Sequence, residues 1–218
     1  MNNVNDSFAT NAKWECQNVI IADAEYIDRV AFDLIVNFER MLMRRIPQAD
    51  FARWLDCIAL DGGMRPTTEE QPDGNGQPET TQVVLIHRKG AVQLDNFTPS
   101  SYATELNGKA FKDHLGEFVI SALPVEQQVT REDFFLDILG TVCQQPTVKR
   151  IMLVPNTEEG TLYADIRETL RRVADDTKRI TVFTMQPMPG GNFRQEILGY
   201  SLMNALGIHA EELSRNGI

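Results

Sequence analysis

The sequence predicts an α/β fold, a three-layer Rossmann-like domain with a mostly parallel sheet. Strand-like and helix-like segments alternate from residue 117 onward, and residues 18–61 alternate in the same way. Alternation of this kind is typical of parallel strands joined by right-handed helical crossovers. In addition, the turn Lys89-Gly90 between the apolar segments 82–88 and 91–97 predicts a β-hairpin at the edge of the sheet.

The first predicted strand and helix have the clearest patterns. Residues 18–23 (NVIIAD) are mostly apolar and rich in β-branched side chains, as in a strand that is buried on both faces. After Asp23, apolar side chains recur every three or four residues as far as Leu42, which predicts a helix with one apolar stripe. We expect this helix to end before Pro47, because proline cannot continue it.

The rest of the chain divides into elements and unpatterned stretches. Residues 1–16 predict a flexible N-terminal tail, and residues 64–81, rich in proline, glycine and acids, predict a mobile loop insertion. We expect residues 17–210 to form a single α/β domain and residues 211–218 to be a C-terminal tail. The further predicted elements are helices at 48–56, 130–145, 157–176 and 193–207, and strands at 57–61, 117–125, 149–156 and 179–187.

Composition limits the function classes. The chain has 218 residues and a formal net charge of −10, which argues against broad, sequence-independent DNA binding, since that requires cations along the phosphates. Its apolar runs are far too short to span a bilayer, so we expect no membrane as a partner. The polar start of the chain lacks a signal-peptide pattern, and its three cysteines form no CxxC motif, so we expect reduced thiols and a cytoplasmic protein.

Acids follow most of the predicted strand ends. In a parallel α/β sheet, ligands bind outside the carboxyl ends of the strands, so we expect these acids to converge at one rim. A cluster of carboxylates suits a hard divalent cation such as Mg²⁺ or Mn²⁺, which can activate water and neutralise a phosphoryl transition state. The predicted metal ligands are Asp23, Asp61, Asp133 and Glu158.

The same acids have an alternative interpretation as helix caps. Asp23 stands where the first long helix begins, and the spacings of Thr130 with Asp133 and of Asn156 with Glu159 fit the capping box. Asp61, which two glycines follow, is not explained by capping alone. The sequence leaves both interpretations open.

The basic residues between positions 149 and 179 also have two interpretations. They can form a phosphate-facing patch, or a solvated helix face that pairs with Glu168, Asp175 and Asp176. The residues concerned are Lys149, Arg150, Arg167, Arg171, Arg172, Lys178 and Arg179.

Two pieces of the chain resemble a known family. They are VIIADAEYI and TREDFFLDILGTVCQQPTVKRIMLVPNTEEGTLYADIRETLRRV with the following RITVF. In the order of their elements they resemble the PIN-like nuclease group, and most of all its NYN branch. The resemblance implies a metal-dependent nuclease or phosphodiesterase that acts on RNA or single-stranded nucleic acid. It implies that the catalytic, metal-binding acids are Asp23, Asp133 or Asp137, and Glu158 or Glu159.

The resemblance has a departure at the turn after the late strand. In the family this turn usually reads Ser-Gly-Asp-x-Asp-Phe, whereas this chain has PNTEEGTL, which implies a weakened site. The chain as a whole also resembles an uncharacterised bacterial family without an assigned function.

A second hypothesis is a non-catalytic interaction or assembly module on the same α/β scaffold. The altered turn at 155–160, the long segment at 64–81 and the last predicted helix motivate it. The apolar side chains of that helix either pack in the core or form the face of a homodimer. They are Ile197, Leu198, Leu202, Met203, Leu206 and Ile208.

Overall fold

The computed structural model of the chain describes residues 16–66, 79–173 and 177–215. Most of the predicted N-terminal tail and of the predicted loop insertion at 64–81 lies outside the described residues. The fold is α/β, as the sequence predicts. In chain order its elements are β1 (Asn18–Asp23), α1 (Ala24–Leu42), β2 (Ala49–Asp50), α2 (Phe51–Asp61), β3 (Thr80–Arg88), β4 (Phe97–Thr98), a π-helical turn (Tyr102–Leu106), β5 (Ala110–Asp113), β6 (Gly116–Val125), α3 (Arg131–Cys143), β7 (Arg150–Val154), α4 (Leu162–Arg172), β8 (Arg179–Thr184), β9 (Arg194–Ile197), α5 (Leu198–Ala205) and α6 (Ala210–Arg215).

Seven strands form a central sheet in the order β5-β6-β3-β1-β7-β8-β9. Neighbouring strands are parallel, except that β5 at one edge pairs antiparallel with β6. Counted along the chain, the parallel strands lie in the order 3-2-1-4-5-6, which is the Rossmann order. After β6 the chain returns across the sheet to β7, so the topological switch point lies between β1 and β7.

Helices cover both faces of the sheet and give three layers. The helices α1, α2 and α5 pack against one face, and α3 and α4 pack against the other. Successive residues of β1 point to opposite layers, Ile20 and Ala22 to the first and Val19 and Ile21 to the second. Since all four are completely buried, β1 is the centre of the core, and the core holds its last residue, Asp23, at the carboxyl edge of the sheet.

The helix α1 follows β1 without a loop because Asp23 caps it. The carboxylate of Asp23 accepts hydrogen bonds from two backbone N–H groups of the first turn, which otherwise have no partner in a helix. Ile27 and Val30 lie on the buried stripe, and burying each large apolar side chain of this kind contributes about 1.5–3 kcal/mol. The helix ends at Leu42, where Met43 adopts the left-handed conformation with φ 52°.

The prediction of a strand at 57–61 is wrong, because these residues are the second half of α2. The buried side chains Trp54, Leu55 and Ile58 recur at helical spacing across the predicted boundary, so one apolar stripe continues to the end of the helix. The short apolar run belongs to that stripe. Asp61 therefore ends a helix and not a strand.

The prediction that 82–88 and 91–97 form an edge hairpin is wrong, and a different hairpin lies at the edge of the sheet. β3 lies inside the sheet between β1 and β6, and residues 91–97 do not pair with it. The antiparallel hairpin consists of β5 and β6, joined by residues 114–115.

The C-terminal part of the fold differs from the prediction in its boundaries. The predicted helix at 193–207 begins later, since residues 194–197 form the edge strand β9. Its apolar side chains pack in the core, where Leu198, Leu202 and Leu206 are fully buried. No helix in the described ranges combines the length and the apolar composition that crossing a membrane requires.

Candidate functional site

Three of the segments that carry the predicted metal ligands meet at the carboxyl edge of the sheet. Asp23 ends β1, Arg131 begins α3, and residues 156–159 follow β7, the neighbour of β1. Arg131 Nη1 lies 2.7 Å from Asp23 Oδ1. The meeting point is the topological switch point, where folds of this kind bind ligands.

Asp23 is the most buried of the predicted site residues, with 3% of its surface exposed. Its Oδ1 accepts hydrogen bonds from the N–H groups of Glu25 (3.1 Å) and Tyr26 (3.0 Å) and from Arg131 Nη1 (2.7 Å). Burial raises the pKa of the Asp23 carboxyl, and the Arg131 charge offsets part of that shift. Three donors thus occupy this oxygen, which acts as a helix cap and as an ion-pair partner.

Arg131 links Asp23 to a longer chain of charges. The same Nη1 atom lies 2.7 Å from Glu25 Oε2, so one nitrogen bridges two carboxylates. Glu25 Oε1 in turn accepts hydrogen bonds from the backbone N–H (2.9 Å) and Nε (2.8 Å) of Arg88. We call these four residues, Asp23, Arg131, Glu25 and Arg88, the rim network. It ties β1, α3, α1 and β3 together at the carboxyl edge.

The acids that follow β7 also pair with an arginine. Arg29 on α1 contacts Glu158 at 3.1 Å and Glu159 at 3.0 Å. Asn156, which is buried, accepts a hydrogen bond from the Glu158 N–H (3.2 Å) and so closes a turn before α4 begins. These ion pairs are largely exposed, so we expect them to contribute little to stability.

Asp133 and Asp137 are exposed on α3. Thr130 caps α3 as its spacing with Asp133 predicts, since the Asp133 N–H donates to Thr130 Oγ1 (3.0 Å). The Asp133 carboxylate accepts from the Thr130 hydroxyl (2.8 Å) and not from the backbone N–H of a complete capping box. In the described ranges, Asp133 and Asp137 do not belong to a group of three metal-ligating side chains whose ligand atoms lie within 4.8 Å of one another.

Asp61 lies at the opposite edge of the sheet from Asp23. The charged side chains near it are Arg194 and Glu196 on β9. Burial and the negative charge of Glu196 raise the pKa of the Asp61 carboxyl. Because α2 is one helix, its last residue reaches the amino-terminal edge, where β7 and β9 begin. The sequence prediction that Asp61 shares a site with Asp23 is wrong for this reason.

The metal-ligating side chains that come closest together were not predicted from the sequence. Among the described residues, one group has its ligand atoms within 4.8 Å of one another, and it consists of Asp56, Asp113 and His114. Asp56 Oδ1 and Asp113 Oδ2 are buried without a hydrogen-bond partner in the described part of the chain. Burial and the adjacent Asp113 raise the pKa of Asp56 to about 7, and a proton on Asp56 would remove the repulsion between the two carboxyls. No short motif could have revealed the group, since α2 and β5 are far apart in the chain.

A groove of about 520 Å³ lies beside the rim network. We call it the rim groove. Its walls carry both signs of charge and two aromatic rings, from Glu25, Asp28, Arg29, Phe32, Arg88 and Tyr102. Tyr102 is fixed in place, since its ring stacks on the buried His87 at a centroid distance of 4.0 Å. Burial lowers the pKa of His87.

Comparison with known proteins identifies the family. One family model matches residues 11–213 of the chain. The chain belongs to DUF6621, a family of unknown function. The match includes the carboxyl edge and the amino-terminal edge of the sheet, and no curated protein and no solved structure matches the chain. Membership of DUF6621 confirms the expected family of unknown function and leaves the NYN resemblance as a prediction.

Proposed function

We propose that this protein is a non-catalytic interaction module that assembles with a second copy of itself through the rim groove. The observation that carries the proposal is that the carboxylates at the carboxyl edge of the sheet form ion pairs with arginines. One nitrogen of Arg131 bridges Asp23 and Glu25, and Arg29 pairs with Glu158 and Glu159. Paired charges on a rigid edge form a surface for a partner, whereas a catalytic metal requires carboxylate oxygens that are free to coordinate it.

The composition of the rim groove supports a protein partner. Arginine, tyrosine and other aromatic residues are enriched in protein interfaces, and Phe32 leaves 53% of its surface exposed at the wall of the groove. A wall with acids and bases can pair with its own copy about a two-fold axis. Elsewhere, two chains of net charge −10 repel each other, which favours contact at a mixed-charge surface.

Sedimentation equilibrium or light scattering after gel filtration tests this proposal. We expect a dimer that Phe32→Glu converts to a monomer, because a buried charge at the interface has no partner. Met43→Glu is the matched control, since Met43 is 88% exposed at the far end of α1 and does not line the rim groove. A strictly monomeric wild-type protein, or a dimer that survives Phe32→Glu, would contradict the proposal.

A second candidate function is the metal-dependent nuclease or phosphodiesterase of PIN-like type. The convergence of Asp23, the start of α3 and residues 156–159 at the switch point favours it. In that function Mg²⁺ or Mn²⁺ would be held by Asp23 and Glu158 with an acid of α3, and RNA or single-stranded nucleic acid would be the substrate. The ion pair disfavours a cation at this oxygen of Asp23, since the charged Nη1 of Arg131 lies 2.7 Å from Oδ1.

Thermal unfolding with and without millimolar Mn²⁺ distinguishes the two functions. At an ion concentration a hundred times its Kd, a site stabilises the folded chain by about 2.7 kcal/mol. If the protein is an interaction module, Mn²⁺ should cause no shift of the unfolding temperature that depends on Asp23, and RNA should not be cleaved. A Mn²⁺-dependent shift that Asp23→Asn abolishes, accompanied by RNA cleavage, would support the nuclease instead.

A further inference from the structure

A second cavity, of about 550 Å³, opens at the amino-terminal edge of the sheet, where β7, β8 and β9 begin. We call it the basic cavity, because its lining includes Arg65, Arg150, Lys178, Arg179 and Arg194. The chain as a whole has 31 acidic and 21 basic residues. The basic cavity is therefore a local concentration of positive side chains on a protein whose net charge is negative.

Strand register places three of these arginines side by side. Arg150 at the start of β7 pairs with Arg179 at the start of β8, and Arg194 of β9 pairs with Thr181 of β8. Paired residues of neighbouring parallel strands point to the same face of the sheet. The three guanidinium groups consequently extend toward the layer that contains the end of α2.

The charge of Arg150 is only partly compensated. Its Nη1 donates to the Gly62 carbonyl at 2.8 Å, while its Nε is buried without a hydrogen-bond partner in the described part of the chain. Burial and the neighbouring arginine charges lower the pKa of Arg150. A half-buried cation among like charges costs stability, and an anion bound between them offsets that cost.

Gly63 allows the arginines to approach the backbone. A Cβ atom at this position would lie 2.9 Å from Arg150 Nη1 and 3.5 Å from Arg194 Nη1, and the φ of +90° also favours glycine. Two guanidinium groups thus reach the same point at the wall of the basic cavity. This accounts for the second of the two glycines after Asp61, which helix capping did not explain.

Nearby acids reduce the positive charge without cancelling it. Glu196 accepts a hydrogen bond from Arg194 Nη2 at 2.6 Å, and Glu79 is held by Asn18 Nδ2 at 3.0 Å. Asp61 also faces Arg194. Among the described residues, these three acids are fewer than the four arginines of the lining.

We propose that the basic cavity binds a small phosphorylated ligand of nucleotide size, with its phosphate held by Arg150, Arg179 and Arg194. The planar guanidinium fork matches phosphate oxygens in pairs, which a lysine ammonium cannot do. The volume lies within the range of small-molecule sites. Phe193 lines the same cavity, and its ring is held edge-on against Tyr163, so it offers a fixed apolar surface to the organic part of the ligand.

The inference goes beyond the proposed function, because the basic cavity and the rim groove lie at opposite edges of the sheet. A failure of self-assembly at the rim leaves phosphate binding untouched. A failure of phosphate binding leaves the dimer untouched.

Calorimetric titration of the full chain with inorganic pyrophosphate and with ATP, in buffer without divalent ions, tests the inference. We expect both to bind, with ATP tighter than pyrophosphate. Arg179→Gln and Arg194→Gln should each weaken binding by about tenfold or more, since each removes charged hydrogen bonds. Both side chains are exposed, so the variants should fold.

Arg171→Gln is the matched control, because Arg171 is an exposed arginine that pairs with Glu168 on α4 and does not line the basic cavity. It should bind both ligands as the wild type does. No binding of either ligand at millimolar concentration would overturn the inference. An equal loss in Arg171→Gln would also overturn it, since this result indicates general charge attraction. Tighter binding of a single-stranded oligonucleotide than of ATP would overturn the assignment to a small ligand.

Discussion

The two edges of the same sheet arrange their charges in opposite ways. At the carboxyl edge opposite charges alternate, with Arg131 between Asp23 and Glu25. At the amino-terminal edge like charges stand together: arginines begin neighbouring strands around the basic cavity, and Asp56 faces Asp113, which pairs with the first residue of β6. Paired charges stabilise a fold without a ligand, whereas crowded like charges favour a proton or a counter-ion. In this fold, a ligand is therefore better sought where charge is uncompensated than where acids are most numerous.

Arg131→Ala should have the largest effect, because it converts the paired carboxyl edge into an unpaired one. Removal of one partner from a buried ion pair costs about 3–5 kcal/mol, and we expect the lower end because Arg131 is partly exposed. Urea unfolding measures the loss. The double variant with Asp23→Asn should recover part of it, and a loss no greater than that of the surface variant Arg171→Ala would contradict the paired-edge interpretation.

Gly63→Ala should have the next largest effect, because it acts on the backbone support of the basic cavity. We expect a loss of about 1–2 kcal/mol from the positive φ, and a further contribution because the Cβ atom displaces Arg150. Thermal unfolding measures the change. Gly140→Ala is the matched control: this glycine lies within α3 with open space around its Cβ position, so alanine should stabilise the helix slightly. If both variants behaved alike, Gly63 would have no special role.

Asp56 should make stability depend on pH near neutrality. Its pKa is raised to about 7 in the folded chain, so the folded state binds the proton more tightly than the unfolded state does. The stability from this group is fully present below the ordinary carboxyl pKa and is lost as pH rises through about 7. The free energy of unfolding should therefore fall between about pH 4 and pH 7, with a slope of at most about one proton.

Asp56→Asn should flatten this pH dependence and stabilise the chain at alkaline pH. Urea unfolding at several pH values measures both effects. Asp137→Asn is a suitable control, because Asp137 is exposed on α3, on the other face of the sheet from α2. An unchanged slope in Asp56→Asn would show that this dependence does not come from Asp56.

Arg29→Ala should have the smallest effect, although it breaks contacts with both Glu158 and Glu159. Exposed ion pairs contribute about 0–1 kcal/mol and are screened by salt. Urea unfolding measures the loss of stability. A loss that is much greater than this and independent of salt would mean that Glu158 and Glu159 contribute more to stability than their exposure indicates.

The sequence predicts what is local and misses what depends on strand order. β1 and α1 were predicted correctly, because a short β-branched run and a long helical stripe are each complete within one segment. Residues 57–61 were assigned wrongly, because a short apolar run looks the same in a strand and in a buried helix stripe. Asp61 was placed at the wrong edge as a direct consequence.

The basic residues show the same limit. In the sequence, the basic residues between positions 149 and 179 form one group. In the structure they lie at two different places. Arg171 and Arg172 pair with Glu168 on α4, whereas Arg150, Lys178 and Arg179 line the basic cavity. Arg65 and Arg194 join them from distant segments. Strand order and register bring these side chains together, and a single sequence does not contain that information in any short pattern.

The position of β1 has a consequence for biosynthesis. One of its two neighbours, β7, follows α3 in the chain, so β1, which is buried at every position, is made before the partner of one of its edges. Such an edge recruits other strands. The helix α1, which follows β1 directly, covers one face of the strand, and this edge stays open until β7 has been made.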